Sequence, residues 1–414
     1  MELRITDVKS ATVVGNYYWT YVRVYAGEMF GTGEGFFAPR LEGVIRELGR
    51  VIVGENALDI NRLCDKMHWA AVPSGACGVN LHAISALNIA LLDLVGKYLN
   101  VPVYTLLGGK YRGDVRVYAD THAGEALEAM DSVLLPITPE WMIEEGLKVE
   151  EAMAPLHGRA AVETYSDVYT PEAYATRAKQ MKDEGYTAIK FDLDVPTPYT
   201  KEYNRTSGSL TNREVKYLAE LVGAVRNAVQ DEVDIMFDLH WRFNVESAIR
   251  LARSIEQYNV MWLEDPVPPS NPGLLDKVAS STTTPIATGE NVYTRYQFLM
   301  VLNSRIRIIT PDILKTGGPT ETKFIAELAA LNEIITSPHN ISSPIGTMAQ
   351  AHFAASIPNF GVLEFHGHDV PIWWKIADRE VIKGGFIRMT DEPGLGIELK
   401  EDVAAKYPLK KFQL

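Results

Sequence analysis

The chain has 414 residues, 46% of them hydrophobic, and a formal net charge of −13. That is enough apolar content for a large core in one to three domains, and the acidic balance argues against nucleic acid or an anionic membrane as partner, because phosphates need a basic footprint. A small anionic substrate stays possible, since a bound metal reverses the local field, while two cysteines in neither metal-ligand nor redox spacing, Cys64 and Cys77, exclude a disulfide framework.

The opening MELRITDVKS lacks the charged-then-apolar pattern of a signal, and no apolar run approaches the ~18 residues of a membrane span. A soluble cytoplasmic protein is expected. Residues 1–112 read as a separate α+β unit. Strand-like runs ATVVG, YVRVYAG and GTGEGFF come first, with glycine turns between them. The GTGEG stretch resembles a phosphate loop, but its third glycine is misplaced for G-x-G-x-x-G, so it reads as hairpin turn chemistry. Helical periodicity follows at Leu41 to Val53 and at Asn80 to Tyr98, where Ile84, Leu87, Leu91 and Leu94 share a face. Residues 113–370 read as a run of βα units. The first strand is DVRVYAD, Asp114 to Asp120. An apolar stretch from Thr121 to Tyr169 is either an insertion over the site or a dimer contact. Thr170 and Pro171 open a helix as N-cap and N1. Strand two is YTAIKFD, followed by a polar loop from Asp194 to Ser209 and a capping box at Thr211 and Glu214. Residues 371–414 are turn-rich and are expected to return to the first unit.

From Ile235 to Phe365 the pattern becomes regular. Short apolar runs end at Asp238, Glu264, Glu290, Asp312, His339 and Glu364, at intervals of 22 to 27 residues. Each interval holds one buried strand, one amphipathic helix and two loops. Right-handed βα units build a parallel sheet. In a closed barrel the strand ends share one face, where active sites sit.

Asp238, Glu264 and Glu290 end three consecutive strands. Three close carboxylates repel unless a cation sits among them, and oxygen-only ligation with room for water and substrate favours Mg²⁺. The plainer alternative for any one of them is a helix N-cap. Asp312 and His339 end neighbouring strands and read as a dyad, the carboxylate fixing the imidazole tautomer and raising its basicity. His240 lies two residues beyond Asp238, and period-two alternation points it to the same side as a second acid or base. Lys190 and Asp192 end strand two. Lys190 either meets an anionic substrate or forms a salt bridge to Asp192 or Asp238. Glu364 ends strand eight as a hydrogen-bonding carboxyl. His366 and His368 follow, with Trp373 and Trp374 read as packing. Asp192, Arg242, His366 and Tyr18 are the substrate-contact candidates, with Tyr199 and Asn204 from the loop after strand two. Specificity is expected from Tyr17 to Trp19 and from Ala70 to Val79.

The motifs SALNIALLDLVGKYLNVPVYTLLGG, FDLH, WLEDP, ATGEN, Asp312-x-x-x-x-Gly317-Gly318, SPH, LEF and PGLGIEL together resemble the enolase superfamily, in its mandelate racemase-like subgroup, over nearly the whole chain. The resemblance implies an α/β fold, a modified TIM barrel of (β/α)7β form, with an N-terminal α+β capping domain completed by the C-terminal segment. It implies Mg²⁺ on Asp238, Glu264 and Glu290, a His339–Asp312 dyad, Glu364 at the enolate, and a homo-oligomer between dimer and octamer. Racemases of this kind place K-x-K at the end of strand two; here the motif reads Lys190-Phe191-Asp192, and strand three ends D-x-H. That is similar to the sugar-acid dehydratases of the superfamily. The implied reaction is dehydration of gluconate, galactonate or a pentonate to a 2-keto-3-deoxy acid. His339 is the implied base, protonated His240 the acid, and Lys190 the stabiliser of enediolate charge. An acid-sugar epimerase or racemase, and a barrel that binds sugar acids without turnover, are the alternatives.

Overall fold

The computed structural model describes residues 2–123, 138–147, 165–200 and 207–409. The chain begins with an antiparallel sheet of β1 (Asp7–Val14), β2 (Tyr18–Ala26) and β3 (Met29–Gly35). Three helices cover it: α1 (Leu41–Ile52), α2 (Ile60–Ala71) and α3 (Val79–Leu99). α3 is long and apolar enough to cross a membrane by length and composition, but 89% of its most apolar window is buried in the protein. It is the core helix of this unit. The expectation for GTGEG is corrected here. The stretch lies inside β3, and a Cβ at Gly31 or Gly33 would come within 2.1 or 2.2 Å of the Ala90 or Ala86 carbonyl oxygen. These glycines let β3 press onto the backbone of α3.

Eight parallel strands follow: β4 (Asp114–Asp120), β5 (Ala188–Asp192), β6 (Asp234–Asp238), β7 (Trp262–Glu264), β8 (Ile286–Thr288), β9 (Ile308–Ile309), β10 (Ile335–Thr336) and β11 (Leu363–Phe365). Neighbours pair in sequence order from β4 to β10, and β11 pairs with β4. A parallel bridge between Thr336 and Phe360, and the Glu364 N–H donating to the Pro338 carbonyl at 3.1 Å, join the β10 and β11 segments. Tyr118, Ala188, Met236, Trp262, Ala287, Ile308 and Val362, all buried, form one apolar cluster from successive strands. The barrel interior is therefore packed, and chemistry is confined to the strand ends.

The helices between strands start where side chains satisfy their free N–H groups. Thr170 caps Pro171–Asp183, and Thr211 and Glu214 form the full capping box of Asn212–Val229. Ser343 caps Pro344–Ala355. The C-terminal segment touches both halves. β12 (Phe386–Arg388) pairs antiparallel with β4, the Leu395 N–H donates to Asp93 on α3 at 2.8 Å, and the Val14 N–H donates to the Tyr407 carbonyl at 2.8 Å.

Candidate active site

Three strand ends bring Asp238, Glu264 and Glu290 together. Asp238 and Glu264 are paired across β6 and β7, and Glu290 follows β8 by two residues. One carboxylate oxygen from each lies within 4.8 Å of the others. All three are buried. Glu264 Oε2 accepts from the Trp262 indole at 3.0 Å and Lys190 Nζ at 3.3 Å, whereas Glu264 Oε1 is buried with no hydrogen-bond partner. A buried anionic oxygen without a donor is costly. An oxygen-only donor set around such an atom fits a hard divalent cation. Burial pushes Glu264 up to about 7 against the pull of Lys190. Burial would also raise Glu290, but His339, Lys315 and His240 hold it down at about 2.

Lys190 sits among the protein's own carboxylates. Its ammonium donates to Glu364 at 2.7 Å, Asp238 at 3.2 Å and Glu264 at 3.3 Å. Those are all three donors of an ammonium, directed at the protein's own carboxylates. Of the two salt bridges considered, the one to Asp238 forms. Glu364 also accepts from the Asn340 N–H at 2.8 Å.

His339 and Asp312 lie in the turns after β10 and β9. His339 Nδ1 is 2.8 Å from Asp312 Oδ2, so Nδ1 carries the proton and Nε2 is the atom left to act. Nε2 sits 3.3 Å from Glu290 Oε2 and 3.9 Å from Glu364 Oε2. Gln350, from the helix Pro344–Ala355, donates to Asp312 Oδ1 at 3.1 Å and to the His339 carbonyl at 2.8 Å. Burial would lower the His339 pKa; Glu290, Glu364 and Asp312 outweigh it and hold it at about 9.

His240 lies after β6. Its N–H donates to Asp238 Oδ1 at 2.9 Å, and Nδ1 is 3.2 Å from Asp194 Oδ1 and 3.8 Å from both Asp192 and Asp238. Burial opposes protonation, yet Asp238, Asp192 and Asp194 raise its pKa well above the ordinary imidazole value. β6 and β10 are four strands apart in a ring of eight. The two imidazoles therefore face each other across the carboxylate cluster. Between them lies a cavity of about 360 Å³, roofed by Tyr17, Phe36 and Phe37 of the N-terminal unit.

The cavity wall includes Lys190, Asp192, His240, Glu290, His339, Glu364 and His366 among the sequence candidates. Several substrate-contact candidates are elsewhere. Tyr17, stacked on Phe37 at 4.9 Å, takes the position given to Tyr18, which does not line the cavity. Arg242 lies outside the cavity wall, with Nη1 3.6 Å from Asp194 Oδ2. The alternation read for His240 stops at the end of the strand, where His240 and Trp241 take φ of +38° and +49°. Tyr199 packs edge-on against Tyr217 and is not in the wall, nor is any residue from Ala70 to Val79. Asn204 and most of the Thr121–Tyr169 stretch fall outside the described residues. Trp373 packs on Phe365. Asp120, His122, Asn291 and Lys315 also line the cavity. The first two had a signal in plain sight, since Asp120-Thr121-His122 repeats the D-x-H spacing of Asp238 and His240.

Known proteins are similar to this chain along its length. The family described as Enolase C-terminal domain-like matches residues 173–403, and the Mandelate racemase / muconate lactonizing enzyme N-terminal domain matches residues 4–108. A D-xylonate dehydratase from Haloferax volcanii is 40% identical over 413 residues, covering 98% of this chain and 89% of that protein. A D-galactonate dehydratase family member from Salmonella virchow is 28% identical, covering 98% and 94%. The crystal structure of a mandelate racemase/muconate lactonizing enzyme-like protein from Rubrobacter xylanophilus superposes with a TM-score of 0.86 at 36% identity, covering 99% and 98%.

Proposed function

Because this chain belongs to the enolase superfamily, in its mandelate racemase/muconate lactonizing enzyme branch, we propose that it is a Mg²⁺-dependent hydro-lyase that dehydrates an aldonic acid to its 2-keto-3-deoxy acid. A pentonate of the D-xylonate kind is the first substrate to consider, given the 40% identical relative named for it. The observation that carries the reading is the pair of imidazoles facing each other across a carboxylate cluster, each tied to its own aspartate.

Asp238, Glu264 and Glu290 would hold the Mg²⁺, which when bound supplies stabilisation for negative charge developing on the substrate carboxyl group. His339 Nε2 takes the proton from C2, while Asp312 and Gln350 hold the ring in the tautomer that exposes Nε2. His240 gives its proton to the 3-hydroxyl. The C3–O bond breaks, C2 and C3 become doubly bonded, and water leaves. The resulting enol gains a proton at C3 and becomes the ketone. Lys190 holds Asp238, Glu264 and Glu364 in place. The aromatic roof of Tyr17, Phe36 and Phe37 excludes water from the proton transfers.

The epimerase alternative needs His240 as a base. Three carboxylates around that ring favour its protonated form, which suits an acid. The test is a stereochemically complete panel of pentonates and hexonates, assayed for 2-keto-3-deoxy products with Mg²⁺ and with EDTA. His339→Asn is expected to abolish exchange of the C2 proton with solvent, and His240→Asn to cut dehydration by roughly 10²–10⁴-fold while sparing that exchange. Full turnover by His240→Asn, or no product from any acid, would overturn the reading.

A further inference from the structure

Strand β3 presents Gly31 and Gly33 to α3, so alternation turns Glu34 to the opposite face, toward the barrel. Glu34 is buried there. It meets the start of the barrel helix Pro344–Ala355, whose first N–H groups need acceptors. Pro344 has no N–H, and the Ile345 N–H donates to the N-cap, Ser343 Oγ, at 3.2 Å. The Ser343 and Gly346 N–H groups donate instead to Glu34, at 3.0 Å to Oε1 and at 2.9 Å to Oε2, and the Ser343 hydroxyl also donates to Oε2. In an ordinary capping box the glutamate that reaches back to the N-cap stands at N3 of the same helix, as Glu214 does for Thr211. Here N3 is Gly346, and the glutamate comes from the other unit of the chain. A Cβ on Gly346 would lie 2.5 Å from Ser342 Oγ and 3.0 Å from Glu34 Oε2, so the helix leaves room for a carboxylate it does not carry. One turn further along the same helix stands Gln350, whose amide donates to Asp312 Oδ1 at 3.1 Å and to the His339 carbonyl at 2.8 Å. Two residues beyond Glu34 stands Phe36, in the roof of the cavity. One strand end therefore carries both the roof and the cap of the helix that braces the dyad.

We propose that Glu34 is a positioning residue for the base: by completing the capping box of Pro344–Ala355 from the N-terminal unit, it holds Gln350 against Asp312 and His339 and ties alignment of the base to seating of the roof. The proposal rests on the reading of His339 as the base of an aldonate dehydratase. Its test is Glu34→Gln in the full-length, Mg²⁺-loaded enzyme, beside Gln350→Leu and the double variant. Glutamine fills the same space but offers one acceptor oxygen where the carboxylate offers two, and it turns an N–H donor toward donors. With D-xylonate as substrate, kcat is expected to fall about 10- to 100-fold with KM little changed. The double variant should lose no more than the more damaged single variant, because both changes act on one contact. In protein labelled at histidine and free of substrate, the His339 Nδ1–H resonance should move in Glu34→Gln as it moves in Gln350→Leu. Ser343→Ala keeps the carboxylate on its two backbone N–H groups and removes one donor, so it should show a smaller loss of the same kind, and it decides the case if Glu34→Gln does not fold. Losses that multiply in the double variant, or an unmoved Nδ1–H resonance, would overturn the assignment and leave Glu34 a packing residue. If the parent dehydrates neither D-xylonate nor any other aldonate, the aldonate reading falls, and the resonance, which needs no substrate, still decides whether Glu34 acts on the dyad.

Discussion

Replacing Lys190 by methionine isolates what holds the carboxylate cluster together. Methionine is close to lysine in length and carries no charge, so packing is largely kept. The ammonium meets Glu364, Asp238 and Glu264 at 2.7, 3.2 and 3.3 Å, and all four side chains are buried. Removing one partner of a buried ion pair typically costs about 3–5 kcal/mol, because the remaining charge is left uncompensated. Here three carboxylates share the loss, and protonation of one of them limits it, so the upper end of that range is the ceiling. At roughly 2.1 cal/mol/K per residue, the whole chain would melt about 4–6 °C lower. A divalent cation on Asp238, Glu264 and Glu290 supplies the missing positive charge and, in the variant, no longer meets the repulsion of the ammonium. Mg²⁺ should therefore raise the melting temperature of Lys190→Met by more than it raises that of the wild type. Thermal unfolding of both proteins in EDTA and in excess Mg²⁺ makes the measurement. A variant as stable as wild type in EDTA, with the same response to Mg²⁺, would mean that Lys190 is not what stabilises the ionised cluster.

Gln350→Leu removes the donor shared by Asp312 and the His339 carbonyl; kcat should drop about 10- to 100-fold with KM little changed, as for other supporting partners, and an unchanged kcat would show the dyad holds itself. Asp194→Asn takes away one of the three carboxylates that keep His240 protonated, so the alkaline limb of dehydration should move to lower pH, and an unmoved limb would place the acid elsewhere. In metal-free protein His339 titrates near 9, raised above the ordinary 6.5 first by Glu290 acting against burial. The protonated ring therefore stabilises the fold fully below about pH 6.5, and that contribution is lost as pH rises through about 9. Cation binding at Glu290 should bring the imidazole titration, followed by NMR, down toward its ordinary value; a titration indifferent to Mg²⁺ would separate the dyad from the metal site.

The barrel and its carboxylates were readable because each βα unit repeats one local rule. A short apolar run must be a buried strand, and the polar residue that ends it cannot stay in the core. Asp238, Glu264, Glu290, Asp312, His339 and Glu364 each follow such a run, so their convergence needed only the ring to close. The longest helix passed over in the N-terminal unit, α2, was legible by the same logic. Its buried residues Leu63, Met67 and Ala71 are four apart, but five charged or histidine side chains, Arg62, Asp65, Lys66, His68 and the cap Asp59, interrupt the stripe.

What sequence could not supply begins where the strand geometry stops. His240 was placed by counting in twos from Asp238, yet β6 ends at Asp238 and the next residues curl into left-handed backbone. His240 still reaches the cavity because its own N–H is tied back to Asp238 Oδ1. Alternation gave the right answer there for the wrong reason. Tyr18 opens β2 opposite Val14, whereas Tyr17 lies in the turn between β1 and β2, so the turn and not strand alternation brings it to the cavity. Phe36 is a still harder case. It belongs to the N-terminal unit, yet it covers the ammonium of Lys315, a residue of the barrel 279 positions away. No local pattern encodes such a contact. It exists only because Gly31 and Gly33 let β3 lie against α3 and so set where the chain leaves the strand. A Gly33→Ala substitution, far from any reacting atom, should therefore displace the aromatic roof and act on substrate binding before it acts on the barrel.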